Sequence, residues 1–265
     1  MLFAFTNATL AQNGVELIEF KEVEGENLQL HVAYPKGHTA SDQRPAVVFF
    51  FGGGWKQGKP GQFYPYIREL AAQGIVGISA QYRTKSSHGV SPKECVQDGK
   101  SALRYVREHA VEMGIDPNKI LAGGGSAGAH VAQCTAISDA PDEPGENSAI
   151  STKPAALILL NPVLSTGPDG YAHGYVKNAV NDWETVSPLH RIAELPPTLL
   201  EIGDDDNVSP LPMVLEYQAQ MEAAGTRCDL ILFEGATHGF FNRPQYQQET
   251  IDQMIIFLRS LGYIQ

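Results

Sequence analysis

The stretch that most constrains the fold is residues 119–130, which read KILAGGGSAGAH. A short apolar run ends in three glycines, and Ser126 follows them within a G-x-S-x-G pattern. This pattern is typical of a sharp turn between a buried strand and a helix, with the serine at the turn. Gly124 and Gly128 are needed because the serine is strained and a Cβ at either glycine would collide with a neighbouring strand or helix. Glycine-rich turns around serine are common, so the pattern alone also fits an ordinary strand-to-helix turn.

The rest of the chain alternates between predicted strands and segments of helical period. Two segments of alternating polarity, 15–23 and 28–34, predict an antiparallel hairpin at a sheet edge. Further strands are predicted at 46–51, 75–82, 120–122, 155–160, 198–202 and 228–234. Helices are predicted at 62–73, 91–113, 126–137, 209–224 and 244–261. This order predicts a single α/β domain over residues 15–265, with a mostly parallel central sheet and helices on both faces.

The composition excludes several classes of partner. The 265 residues carry a net charge of −11, which argues against binding to nucleic acid or to an anionic membrane surface. No apolar run is long enough to predict a membrane span. The three cysteines do not form a disulfide framework, so buried free thiols are expected. No Cys/His grouping has metal-ligand spacing, and neither a metal nor a cofactor is predicted.

Residues 1–14 are expected to stand apart from the domain. Their apolar start and the small residues before Gln12 fit the end of a secretory signal whose basic front is missing, or an ordinary flexible terminus. A signal remnant at residues 1–11 would place the protein outside the cell or in the periplasm, and the alternative would place it in the cytoplasm. The sequence leaves both a monomer and a homodimer open.

Four loops with special residues follow predicted strands. They are residues 52–55, 123–128, 203–210 and 235–242. Because the carboxyl ends of parallel strands lie at one edge of a sheet, and ligands bind beyond that edge, the four loops are expected to meet there. The sequence therefore predicts one site built from all four loops.

Serine chemistry is the reaction that these loops support. A serine nucleophile needs a base, and the base needs a partner that fixes its tautomer. His238, flanked by small residues, is the candidate base. The candidate acid lies in the run Asp204, Asp205 and Asp206; because adjacent carboxylates repel one another, only one is expected to be buried against an imidazole. The run does not have the spacing of an EF-hand, so calcium is not predicted. The chain order Ser126, aspartate, His238 is the order of α/β-hydrolases.

These motifs resemble the α/β-hydrolase superfamily, and more closely its esterase/lipase branch of hormone-sensitive-lipase-like and small carbohydrate-esterase-like enzymes. The resemblance covers residues 28–261. It implies that Ser126 is the nucleophile and His238 the base. Laying Gly203 to Pro210 on the family's G-T-x-D-x-x-V-P loop puts the acid at Asp206, with Asp205 as the second choice, because this loop departs from the pattern at two positions. The motifs that carry the resemblance are residues 52–55, 81–83, 124–128, 187–188, 196–199, 203–210 and 235–240.

The same resemblance assigns roles around the triad. The backbone N–H groups of Gly53, Gly54 and Ala127 would form the oxyanion hole. The family usually has histidine before the three glycines, where this chain has Phe51, so loop support is expected to differ more than the chemistry does. Fold roles are implied for Arg83 and Asp98.

The predicted function is a serine hydrolase that cleaves short-chain carboxylic esters through an acyl-enzyme intermediate. Residues 161–192 are predicted to form the lid and specificity segment. Removal of acetyl groups from carbohydrate esters is the sharper hypothesis. The alternatives are a non-catalytic, receptor-like member of the fold, and a small serine peptidase, which usually carries an extra domain for which this chain has no room. The predicted substrate-binding residues are Trp55, Tyr171, Tyr175 and Trp183.

Overall fold

The computed structural model describes residues 9–11 and 14–264, and its described strands form one nine-stranded sheet. The strands are β1 (Thr9–Ala11), β2 (Val15–Val23), β3 (Glu26–Ala33), β4 (Arg44–Phe50), β5 (Val76–Ala80), β6 (Ile115–Gly125), β7 (Leu157–Leu160), β8 (Thr198–Asp205) and β9 (Cys228–Thr237). Their order across the sheet is β1-β2-β3-β5-β4-β6-β7-β8-β9. The pairs β1–β2, β2–β3 and β3–β5 are antiparallel, and all the other pairs are parallel. The predicted mostly parallel sheet with an antiparallel N-terminal hairpin is confirmed.

Helices connect the parallel strands. They are α1 (Tyr64–Ala72), α2 (Lys85–His88), α3 (Pro92–Glu108), α4 (Ala127–Cys134), α5 (His173–Val176), α6 (Leu211–Ala223) and α7 (Pro244–Ser260). The first and last of these, α1 and α7, pack together against β5 and β8, whereas α3 and α4 pack together against β6. Shorter 3-10 turns occupy Pro60–Phe63, Trp183–Val186, Pro188–His190, Ile192–Glu194 and Phe240–Asn242.

The start of α3 follows the sequence prediction, but its end does not. Ser91 and Glu94 form a capping box at the predicted start of the helix, in which the Glu94 carboxylate accepts a hydrogen bond of 2.9 Å from the Ser91 N–H. The helix ends at Glu108 rather than near residue 113. The chain turns over residues 109–113, and the turn closes with a hydrogen bond of 2.7 Å from the Ile115 N–H to the Ala110 carbonyl.

Other predicted boundaries of strands and helices are wrong as well. Strand β6 begins at Ile115 rather than at residue 120, and its pairing with β4 jumps from Ile115 to Ile120. Strand β9 continues to Thr237, beyond the predicted end, because Thr237 pairs with Asp205. Helix α4 ends at Cys134, three residues before its predicted end at Ile137. The short helices α2 and α5 were not predicted.

Only part of the N-terminal segment 1–14 can be compared with its prediction. Thr9–Ala11 forms an edge strand that pairs antiparallel with β2. Residues 1–8 and 12–13 lie outside the described residues, and so does most of the segment for which a signal remnant or a flexible terminus was predicted. Within the described part of the chain, no helix has the length and apolarity to span a membrane. The three cysteines are buried and free, as predicted.

A buried ion cluster joins the edge of the sheet to α3. Asp98 has no solvent exposure, and Arg83 donates two side-chain hydrogen bonds of 2.8 Å to its two carboxylate oxygens. Lys21 of β2 lies 2.6 Å from the same carboxylate, and both cations also reach Glu143. The cluster therefore ties β2 and α3 to the acidic loop at 138–153, which is a fold role of the kind expected for Arg83 and Asp98.

A second buried acid lies in the sheet itself without a partner. Glu201 of β8 is completely buried, and neither of its carboxylate oxygens has a hydrogen-bond partner among the described residues. Burial, and after it the charge of Glu249, raise the pKa of Glu201 well above its usual value. The folded protein therefore favours the protonated carboxyl group.

This acid should make the free energy of unfolding depend on pH. Because the pKa of Glu201 is higher in the folded state, folded protein holds a proton that unfolded protein releases above about pH 4.3. The contribution of Glu201 to the free energy of unfolding is therefore greatest below that pH. It falls by up to about 1.4 kcal/mol per pH unit as the pH rises toward the pKa of Glu201 in the folded state. We expect Glu201→Gln to flatten this fall, as measured by urea unfolding at several pH values from 4.5 to 8. Glu216→Gln, at an exposed position of α6, is the control, and equal slopes in wild type and Glu201→Gln would contradict the prediction.

Candidate active site

The serine at the G-x-S-x-G turn lies between β6 and α4. Ser126 has φ 53° and ψ −120°, an uncommon conformation for a residue other than glycine that costs about 1–3 kcal/mol. A Cβ on Gly128 would lie 2.0 Å from the Phe50 carbonyl oxygen, and one on Gly124 would lie 2.5 Å from the same oxygen. The predicted need for glycine at both positions is confirmed. The sharp turn leaves Ser126 half-buried at the carboxyl edge of the sheet.

Ser126, His238 and Asp206 form a continuous chain of hydrogen bonds. Ser126 Oγ lies 2.8 Å from His238 Nε2, and His238 Nδ1 lies 2.8 Å from Asp206 Oδ2. The Asp206 carboxylate accepts a hydrogen bond from Nδ1–H of His238. The other ring nitrogen, Nε2, is therefore left to accept the serine hydroxyl proton. The side chain of His238 is 26% exposed and that of Asp206 is 1% exposed, so the imidazole lies between a buried acid and a half-buried hydroxyl.

The carboxylate of Asp206 is held from its other side. Its Oδ1 accepts the backbone N–H groups of Val208 at 2.8 Å and Ser209 at 3.1 Å. Asp204 is exposed and accepts the Gly235 N–H instead, and Asp205 is exposed at the end of β8. Of the three consecutive aspartates, the structure brings Asp206 to His238.

The glycine loop, residues 52–55, follows β4 and passes directly beside Ser126. A Cβ on Gly52 would lie 3.3 Å from the Ser126 Cβ. Gly53 and Gly54 follow with φ of 130° and 63°, and a Cβ on Gly53 would lie 2.0 Å from the Gln57 carbonyl oxygen. The N–H of Gly52 is already bonded to Gln62 Oε1 at 2.6 Å. The N–H groups predicted for an oxyanion hole are the next two along the chain.

Phe51 supports this loop in place of a histidine. Its ring stacks on Tyr82 with centroids 4.1 Å apart and an interplanar angle of 14°. The Tyr82 hydroxyl donates a hydrogen bond of 2.6 Å to the Phe51 carbonyl oxygen. One tyrosine therefore holds both the side chain and the backbone of Phe51, so the loop is braced by stacking and by a buried hydrogen bond.

Two of the aromatic residues predicted to bind substrate lie in the glycine loop or beside it. Trp55 is completely buried, with its ring edge-on to His130 at 5.0 Å and tilted against Tyr171 at 6.0 Å. Tyr171 is 37% exposed, and its hydroxyl would lie 3.6 Å from a Cβ on Gly54. Tyr171 therefore offers accessible aromatic surface beside the loop, whereas the Trp55 side chain has no exposed surface.

The other two aromatic residues have different surroundings. Tyr175 of α5 has the ammonium groups of Lys56 and Lys85 within 6 Å of its ring centroid, at 5.9 and 5.8 Å. Trp183 packs edge-on against His190 at 4.8 Å and His173 at 5.6 Å. The ring contacts of Trp183 are thus with other residues of the segment 161–192.

Three polar residues of the site were not predicted. Asn161 is fully buried with φ 35°, and its Nδ2 lies 3.4 and 3.5 Å from the two ring nitrogens of His238. Gln62 donates a hydrogen bond of 3.0 Å to Asn242, which lies in the loop after His238. A polar residue directly after a buried strand was a signal for Asn161, but the sequence around Gln62 shows only helical period.

The chain is similar in sequence and fold to known esterases. A family model described as BD-FAE matches residues 30–158. The apo form of esterase 2 from Thermogutta terrifontis is 40% identical, with a TM-score of 0.91, over 97% of this chain and 98% of that chain. A propionate-bound structure of the same esterase is also 40% identical, with a TM-score of 0.89, over 95% of this chain and 96% of that chain.

A more distant similarity extends to plants. The probable isoprenylcysteine alpha-carbonyl methylesterase ICMEL1 of Arabidopsis thaliana is 27% identical over 248 residues, which cover 85% of this chain and 51% of the relative. The chain spans about half the length of the first curated relatives that it matches.

The crowding at the elbow predicts an unequal response to two alanine substitutions. Gly128→Ala would drive a Cβ to within 2.0 Å of the Phe50 carbonyl oxygen, so α4 must move away from β4. We expect a loss of about 3 kcal/mol in the free energy of unfolding, measured with urea. Gly174→Ala is the matched control, because a Cβ there meets nothing within 4 Å and its φ is not in the left-handed region. Similar losses in both variants would contradict this account of the elbow.

Proposed function

Because the chain belongs to the α/β-hydrolase esterase/lipase family, we propose that it is a serine hydrolase that cleaves short-chain carboxylic esters. The observation that carries the proposal is the hydrogen-bond chain from Ser126 through His238 to Asp206. The 40% identity to an esterase over nearly the whole chain supports an ester as the bond that is cleaved.

In the acylation half of this reaction, Ser126 Oγ attacks the ester carbonyl carbon while His238 Nε2 takes the hydroxyl proton. Asp206 stabilises the imidazolium that forms, because its buried carboxylate stays bonded to Nδ1–H. The tetrahedral intermediate then collapses, the carbon–oxygen bond to the alcohol breaks, and the alcohol leaves with the proton from Nε2. The acyl group remains on Ser126.

In the deacylation half, water takes the place of the alcohol. His238 Nε2 removes a proton from the water as its oxygen attacks the acyl carbon. Collapse of the second intermediate returns the proton to Ser126 Oγ and releases the carboxylic acid. The same base therefore serves both halves, which requires that its hydrogen bond to Asp206 persist throughout.

The negative charge on the carbonyl oxygen needs donors that are already in place. We assign this role to the backbone N–H groups of Gly53, Gly54 and Ala127. Two facts support the assignment: Gly52 lies against Ser126, and Ala127 is the first residue of α4. The N–H of Gly52 itself is occupied by Gln62, which leaves Gly53 and Gly54 as the donors of this loop.

A short acyl group is the substrate feature that the comparisons favour. Solved structures of the related Thermogutta esterase hold propionate and butyrate. In this chain Tyr171 covers Gly54 and belongs to the segment 161–192, whose helix α5 has four residues. We assign Tyr171 to direct contact with the substrate and Trp55, which is completely buried, to support of Tyr171. Hydrolysis of acetylated carbohydrates is the finer form of this proposal, because an exposed tyrosine face suits a sugar ring.

The acyl-length preference is the first test. With p-nitrophenyl esters from acetate to octanoate, we expect kcat/KM to be highest at two to four acyl carbons.

Ser126→Ala should lower turnover to near the background rate, because no other group supplies the nucleophile. No turnover by the wild type, or equal turnover by Ser126→Ala, would reject the serine mechanism and favour a non-catalytic binding protein. An acetylated oligosaccharide panel that releases no more acetate than simple esters do would reject the carbohydrate form alone, and amide cleavage at comparable kcat/KM would favour a peptidase.

The identity of the acid is the second test. Asp206→Asn keeps the shape of the side chain but reverses the preferred tautomer of His238, so kcat should fall by about 10⁴-fold. Asp205→Asn is the matched control at the adjacent exposed position and should change kcat less than threefold. Both variants are assayed with p-nitrophenyl acetate at saturating concentration. If the large loss occurred in Asp205→Asn instead, the assignment of the acid would be overturned.

A further inference from the structure

We propose that Gln62 and Asn242 form a bridge that positions the glycine loop relative to His238, and that both are positioning residues of the site. The glycine loop is residues 52–55, and the base loop is residues 235–242. The inference rests on the function proposed above, since it concerns how the oxyanion donors and the base are held at one distance from a substrate.

The bridge spans two loops that are far apart in sequence. Gln62 lies in the 3-10 turn Pro60–Phe63 that leads into α1, and its side chain is half-buried. Its Oε1 accepts the Gly52 N–H at 2.6 Å, and its Nε2 donates to Asn242 Oδ1 at 3.0 Å. One amide thus contacts both the backbone beside Ser126 and the loop that carries the base.

Asn242 passes the contact on to the residue next to His238. The Asn242 backbone N–H donates to the Gly239 carbonyl oxygen at 3.1 Å, and its Nδ2 donates to the same oxygen at 3.3 Å. Gly239 follows His238 directly and has φ 80°, so it is the bend at which the chain leaves the imidazole. A shift of Asn242 would therefore displace Gly239 and, with it, the imidazole of His238.

The bridge lies at the exposed surface, since Asn242 is exposed, but each of its two amides has a fixed polarity. A backbone N–H can only donate, so Gln62 must turn its oxygen to Gly52 and its amino group to Asn242. Asn242 must then present its oxygen to Gln62 and its amino group to the Gly239 carbonyl. Each amide fits in one orientation, and both ends of the chain are backbone groups of functional loops.

Apolar packing supports the same loops, which limits how much the bridge contributes. Phe241 stacks on Phe63 with centroids 5.8 Å apart, and Tyr66 donates to the Phe241 carbonyl oxygen at 2.6 Å. These contacts keep the base loop folded when the bridge is removed. Loss of the bridge should therefore loosen the geometry rather than unfold the site, and loss of one such hydrogen bond corresponds to about a tenfold change in rate.

The test compares Gln62→Ala, Asn242→Ala and the double variant with the wild type. We expect each single variant to lower kcat for p-nitrophenyl acetate by about tenfold with little change in KM, and the double variant to be no slower than the slower single one. Gln62→Glu keeps the acceptor for Gly52 but sets two oxygens against each other at Asn242, so it should not restore kcat. Gln245→Ala, at an exposed position in the first turn of α7, is the matched control and should match the wild type.

Amide hydrogen exchange gives a readout that does not depend on turnover. Peptides covering residues 50–53 and 238–243 should both lose protection in Gln62→Ala and keep it in Gln245→Ala. Unchanged exchange in these peptides, or faster exchange with wild-type kcat, would overturn the bridge as a positioning device. So would losses in kcat that multiply in the double variant. An inactive wild type would reject the proposed function, whereas an active wild type with a fully active Gln62→Ala would reject the bridge alone.

Discussion

The contact between α4 and the end of β4 is the constraint on which the rest of the site depends. Gly128 rests against the Phe50 carbonyl oxygen so closely that no Cβ fits between them. In the sheet, Phe50 pairs with Gly124 of β6. The strand that leads to Ser126 and the strand that leads to Gly52 are therefore neighbours in fixed register, and Ser126 and the glycine loop emerge side by side. The other half of the site emerges from β8 and β9, whose last residues, Asp205 and Thr237, pair with each other, so that the residues directly after these strands, Asp206 and His238, can meet.

The parts of this site that were predictable from sequence are those with a local backbone requirement. Gly124 and Gly128 are required because a Cβ at either position would clash with the Phe50 carbonyl oxygen. This requirement fixes the spacing of the two glycines around Ser126. The chain order of serine, aspartate and histidine follows from the order of the strands. Strand ends were less predictable, because Thr237 extends β9 only by pairing with a residue on another strand.

The polar contacts that complete the site had no comparable signal. Gln62 and Asn242 are 180 residues apart, and Asn161 and His238 are 77 residues apart. A side-chain amide can accept or donate wherever the fold places it, so its partner is set by tertiary structure and not by spacing. Phe51 makes the same point in reverse: its departure from the family pattern was visible in the sequence, but the tyrosine that compensates for it, Tyr82, could be identified only from the stacked rings.

The segment 161–192 and the glycine loop share one support. Burial lowers the pKa of His130 to about 4, so the ring is neutral near pH 7 and its Nε2 hydrogen bond of 2.7 Å to the Val186 carbonyl oxygen is donated by a neutral imidazole. Trp55 packs on that ring, and Tyr171 packs on Trp55. The segment 161–192 therefore meets the glycine loop through His130 at one point and through Tyr171 at another. A change in the buried members of this stack would disturb the loop beside Ser126 as well as Tyr171, whereas the exposed face of Tyr171 can vary without disturbing the loop. Under the substrate contact proposed for Tyr171, differences in ester preference among proteins with this arrangement should therefore arise at the position of Tyr171 before they arise at Trp55.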